Sequence, residues 1–127
     1  MAALSAPRIP PQMGDGPVLH VFDLPVKAGA KIFVGALVAL EAGYAVAGYE
    51  AEGLRARGIC LGPTYGPSSD VVDNTNGTDG AVKVKVRAGV FKFQNGGDIT
   101  QAECGTNAYI LDDQTVIADG TGRSLAG

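Results

Sequence analysis

The side chains best suited to chemistry are few and scattered. His20 is the only imidazole of the chain, and it stands in an alternating stretch near Asp15 and Asp23, which could orient it as a general base. Such a base serves an activated nucleophile beside an oxyanion site, and no residue pattern here marks either one. His20 therefore reads as a structural or surface histidine.

Cys60 and Cys104 are the only cysteines, and with one histidine they cannot complete a familiar zinc pattern. A disulfide between them is geometrically allowed, but a chain made in the cytoplasm more commonly keeps buried free thiols. Asp112, Asp113 and Asp119, and the cluster Asp70, Asp73, Asn74, Asn76 and Asp79, have the oxygen chemistry that calcium prefers. Neither group has the spacing of an EF-hand loop, and turn-forming Asx residues explain both. The glycine-rich piece from Gly53 to Gly62 has neither a phosphate-loop Lys-Ser/Thr ending nor a dinucleotide fingerprint. Lys83, Lys85, Arg87 and Lys92 form a basic stripe accompanied by Phe91 and Phe93. With those rings expected to point inward, the stripe reads as a solvated or anti-aggregation strand edge. No catalytic residue, metal site or cofactor is expected, and the chain is not read as an enzyme.

The elements that carry these residues follow from composition. The chain has 127 residues, enough for one domain. Its 19 Gly and seven Pro are turn-makers that short-stranded β proteins use and helical bundles avoid. The apolar 46% includes only 6% aromatic residues and no Trp, so the core is built from small side chains packed closely. Thirteen acids against ten bases give a formal charge of −3, without the concentrated basic face that nucleic acid demands. The apolar run Ile32 to Leu40 is about half the length that spans a bilayer. No apolar segment follows the small residues at the N-terminus, so no secretory signal is visible and synthesis in the cytoplasm is expected.

Along the chain, residues 1–17 hold Pro7, Pro10, Pro11 and Pro17 and read as an extended arm preceding a single β domain at 18–127. Val18 to Asp23 alternates as a strand broken at Leu24-Pro25. The run Ile32 to Leu40 reads as two strand segments with a bend or bulge at Gly35. Glu41-Ala42-Gly43 is a tight turn into Tyr44 to Ala47. Gly48 to Arg57 is ambiguous between a short helical turn and a loop, and Ile59-Cys60-Leu61 is a short strand. In Ala81 to Phe93 the valines 82, 84 and 86 alternate with basic residues, and the apolar parity then shifts to Phe91 and Phe93. That shift predicts one long, bent strand with a bulge at Gly89. Asp98 or Thr100 caps a short helix ending near Gly105. Ala108 to Leu111 and Gln114 to Ala118 form a hairpin, and Arg123 to Gly127 reads as the start of a further element. The fold class is all-β: a small glycine-rich β-barrel or β-sandwich of short antiparallel strands with one short helix and an extended N-terminal arm.

The order of these blocks resembles a known family. Pro25-Val-Lys-Ala-Gly29 leads into Ile32-Phe-Val-Gly-Ala-Leu-Val-Ala-Leu40 and Gly43-Tyr-Ala-Val46. Val72-Asp-Asn-Thr-Asn-Gly77, Asp79-Gly-Ala-Val-Lys-Val-Lys-Val-Arg-Ala-Gly-Val-Phe-Lys-Phe93, Ile99-Thr-Gln-Ala102 and Ala108-Tyr-Ile-Leu-Asp-Asp-Gln-Thr-Val116 follow. From about Val18 to Gly127 this looks like the capsid cement, or head decoration, proteins of tailed bacteriophages. The resemblance implies a small β-barrel or β-sandwich on the exterior of the virion capsid, bound to the major capsid protein as a homo-trimer. It implies no catalytic residues. The arm would lash onto a neighbouring capsid subunit by β-augmentation, with Pro7, Arg8, Ile9, Pro10, Pro11 and Met13 as contact candidates. Family members commonly continue past the Ser-hydrophobic-Ala-Gly segment, so either a last strand is missing here or a neighbour completes that edge. The competing expectation is a carbohydrate- or host-surface-binding module on a virion, using Tyr44, Tyr49 or Tyr65.

Overall fold

A computed structural model describes residues 20–127. The arm at 1–17, with its contact candidates Pro7, Arg8, Ile9, Pro10, Pro11 and Met13, lies outside the described residues.

The largest sheet has five strands in the order β1-β7-β5-β3-β4. They are β1 (His20–Pro25), β3 (Leu37–Glu41), β4 (Tyr44–Ala47), β5 (Arg55–Pro63) and β7 (Lys83–Ala88), and each neighbouring pair is antiparallel. Just beyond β1, Val26 bridges Ala45 of β4, and Lys27 N donates to Ala45 O at 3.0 Å. The two ends of the sheet meet there, which closes it into a small barrel. Alternation along β7 fills the interior: Val84 and Val86 are fully buried, whereas Lys83 and Lys85 face solvent. Val26, Val38, Ala45 and Cys60 complete this core. The short pair β2 (Lys31–Phe33) and β6 (Val71–Asp73) places Ile32 opposite Val72, and both side chains plug the barrel.

A second layer consists of β8 (Gln94–Asn95), β9 (Tyr109–Ile110) and β10 (Thr115–Ile117), in the order β8-β10-β9. Its Ile110 packs on the outer face of β3 and β4, against Leu37, Ala39, Val46 and Leu54. Strand β3 is thus covered on both sides, which is why its sequence is continuously apolar instead of alternating. Burying a side chain such as Ile110 contributes roughly 2 kcal/mol.

The structure corrects several expectations. Strand β1 runs through Leu24 to Pro25 without a break. Gly35 does separate two strands, but these belong to different sheets. Residues 48–54 form a loop, and β5 is nine residues long where a short strand was expected. The predicted bulge at Gly89 is absent: β7 ends at Ala88, and Phe91 and Phe93 lie beyond it in irregular chain. The irregularity sits in the partner strand, where the register of β5 shifts beside Gly58 and again between Cys60 and Gly62. Gly58 and Gly62 have φ of +154° and +121°, and a Cβ on Gly58 would overlap the Arg87 carbonyl. Glycine is required there by both conformation and contact.

The predicted helix is a single 3₁₀ turn, Gln101–Glu103, closed by a capping box in which Thr100 and Glu103 serve each other's backbone N–H groups. The hairpin of β9 and β10 forms as expected. Residues 123–127 are already engaged: Ile110 N donates to Ser124 O, Ala108 N to Gly127 O, and Leu125 bridges Tyr109. The terminal segment, expected to be the start of a further element, therefore lies along the outer edge of β9.

Candidate functional site

The residues singled out for chemistry are dispersed by the fold. The backbone of His20 pairs with Ala88 at the start of β1. Asp23 is committed elsewhere, since its Oδ1 accepts from Thr64 Oγ1 at 3.0 Å, and Asp15 lies outside the described residues. Cys60 is buried in the barrel and Cys104 is exposed beside the 3₁₀ turn, and both are free thiols. Burial pushes the Cys60 thiol above its ordinary pKa, an effect reduced by a backbone hydrogen bond from Gly62.

Asp73, Asp112 and Asp119 act on their own turns, and Asp98 reaches across to the 118–119 backbone. Asp73 Oδ1 accepts from Thr75 N and Oγ1, Asp112 from Gln114 N, Asp119 from Thr121 N, and Asp98 from Ala118 N and Asp119 N. Hydrogen bonds from the Thr75 side chain and backbone hold Asp73 below the usual carboxylate range. Those from Thr121 do the same for Asp119, and those from Thr100 for Glu103. Among the described residues no group of three or more His, Cys, Asp or Glu side chains is placed to hold a metal ion.

Asn74 organises the 73–80 loop. It is only 3% exposed, and its Nδ2 donates to the carbonyls of Val26 (3.2 Å), Lys27 (3.1 Å) and Thr78 (2.9 Å). This ties the loop to the closure point of the barrel. At the other side of that closure, Lys27 pairs with Glu41, whose second carboxylate oxygen accepts from the Tyr49 hydroxyl.

The surface available for contact is different from the one expected. The basic stripe does not lie on a sheet edge: β7 is flanked by β1 and β5, and Lys85 sits opposite Asp23 in the β1 ladder. Arg87 is half-buried on that face and its Nε has no partner among the described residues. Arg57 lies over the Phe22 ring at 4.8 Å. Exposed apolar side chains gather at strand ends and corners: Val90 is fully exposed after β7, Phe33 and Val34 stand at the Gly35 corner, and Val21 lies on β1. Phe33 and Val34 belong to the apolar run Ile32 to Leu40, and Gly35 was the available sign of a corner there. Tyr65 is 73% exposed in the loop after β5 and Tyr49 is 41% exposed, whereas Tyr44 is half-buried.

Strand β1 is the terminal strand of the five-stranded sheet, and it begins three residues after Pro17 in sequence. It pairs with β7 along one side over His20–Pro25; its other side meets β4 only beyond the strand, at Val26 and Ala45, and along His20–Pro25 that side has no ladder partner among the described residues. No helix among the described residues is long and apolar enough to cross a membrane. No protein-family model, curated protein or solved structure matches the chain.

Proposed function

We propose that the chain is a capsid decoration, or cement, protein that binds the outside of a phage head and stabilises it at subunit junctions. The observation that carries this reading is the position of β1. The strand that adjoins the proline-rich segment is also the terminal strand of the main sheet, and ahead of the closure at Val26 its second edge has no ladder partner among the described residues. A clip made this way offers an edge for strand addition beside the segment proposed to lash the neighbour, with Pro7, Arg8, Ile9, Pro10, Pro11 and Met13 as its contacts.

The body supports the same reading. Its sheet is braced by glycines at close approaches and by a second layer covering β3 and β4, and apolar side chains such as Val90 and Phe33 project from its corners. The partner in this proposal is the major capsid protein, and the oligomer on the capsid is a homo-trimer. Neither an active site nor a cofactor is needed, because attachment acts through interface area repeated by symmetry. Carbohydrate recognition has less support: Tyr49 is bound to Glu41 and Tyr44 is half-buried, which leaves Tyr65 without an aromatic partner from the expected set.

Co-sedimentation with expanded heads lacking decoration tests the proposal. The full chain should pellet with heads at saturable stoichiometry, and a chain lacking residues 1–17 should bind at least about tenfold more weakly. Absence of binding by the full chain would remove the proposal.

A further inference from the structure

The chain contains two Asn-Gly sequences, Asn76–Gly77 and Asn95–Gly96, and the fold treats them oppositely. In Asn95–Gly96 every reacting group is held. The Asn95 carboxamide donates to Ile99 O at 2.7 Å and accepts from Gly97 N at 2.8 Å and Ile99 N at 3.3 Å. Gly96 N donates to Val116 O at 2.8 Å beside the β8–β10 ladder. Asn76 is exposed at the tip of the 73–80 loop. The side-chain hydrogen bonds of that loop involve Asp73, Asn74, Thr75 and Asp79, and the Asn76 carboxamide takes part in none of them. Among the described residues Gly77 N is held only by a 3.2 Å bond to Asn74 O.

We propose that Asn76 is a self-modification site that deamidates in the folded protein, while Asn95 is protected by its hydrogen bonds. In this step the Gly77 backbone nitrogen attacks Cγ of Asn76. A new N–C bond closes a cyclic imide, and the side-chain amide leaves as ammonia, taking the proton lost by Gly77 N. Water then opens the ring at either carbonyl, yielding aspartate or isoaspartate. No oxidant, reductant or enzyme is required, and the absence of a Cβ on Gly77 leaves the attacking nitrogen accessible. Each conversion adds a negative charge to a chain of formal charge −3.

The site also bears on the fold. A Cβ on Gly77 would overlap Asn74 Oδ1, so the backbone there lies against the side chain that ties the loop to Val26 and Lys27. Isoaspartate lengthens the main chain beside that contact and works against it. The modification thereby acts as a slow clock on a surface loop coupled to barrel closure, whatever the chain attaches to.

The test is to incubate the full chain in mildly alkaline buffer, natively and in urea, and follow both sites by peptide mapping and enzymatic methylation of isoaspartate. In the native sample Asn76 should convert at least about tenfold faster than Asn95. In urea the two should converge, because both are followed by glycine. Asn76→Ser should abolish the native signal, and the purified isoaspartyl form should melt about 4 °C lower. Equal native rates at the two sites, or an Asn76 that stays intact in the folded chain, would overturn the proposal.

Discussion

Gly58 and Gly89 show how much a single position depends on its surroundings. Gly58 has positive φ, and a side chain there would meet the Arg87 carbonyl, so Gly58→Ala should destabilise the domain by about 2–4 kcal/mol in urea unfolding. Around Gly89 the nearest atom to an added Cβ is the Phe91 ring at 3.5 Å, and φ is not positive. Gly89→Ala should therefore stay within about 0.5 kcal/mol of the parent. Asn74→Ala removes the side-chain donor shared by the carbonyls of Val26, Lys27 and Thr78, each of which keeps a backbone N–H donor, and should cost about 1–2 kcal/mol. Cys60 carries a pH dependence. Its folded thiol pKa lies above the unfolded value, so the unfolded state ionises first as pH rises. Stability from this group is intact below the ordinary thiol range and falls as pH climbs above it, and Cys104 should react with a thiol reagent well before Cys60.

At the scale of elements, legibility followed burial. The alternation of β7 was readable because one face is core and the other solvent, and the turn at Ala42–Gly43 because apolar alternation resumes at Tyr44 directly after a glycine; both turn residues have positive φ. The parity shift after Ala88 was real, but its cause was not a bulge. Phe93 reaches the second core cluster from irregular chain, a long-range contact that local periodicity does not encode. The length of β5 was hidden for a related reason, since register shifts around Gly58 and Gly62 interrupt its pattern. The candidate site was less legible than the fold, because β1 becomes the terminal strand of the main sheet only through strand order. Two outcomes test the second layer. Ile110→Ala should cost about 2–4 kcal/mol by opening the cluster under β3, and Thr100→Ala should fray the 3₁₀ turn, raising amide exchange at 101–106. The carboxylates of Asp73, Glu103 and Asp119 have lowered folded pKa values. Their stabilisation is present above the ordinary carboxylate range and is lost as pH falls through the folded values. Measured against the intrinsic exchange rate at each pH, amide protection should therefore fall in these turns on acidification before it falls in the barrel.

For the whole molecule, the layered arrangement matches the demands of a clip. The barrel is closed at Val26–Ala45, plugged by Ile32 and Val72, and backed on one side by a second sheet, so load applied at a corner passes into packed strands. The proposed role makes the stability of the particle the relevant quantity, beyond that of the free chain. The decisive measurement is the temperature at which expanded heads release their DNA, with and without the chain bound. Bound protein should raise that temperature, and a chain lacking residues 1–17 should fail to raise it. Heads that release DNA at the same temperature with the chain fully bound would contradict the cement function.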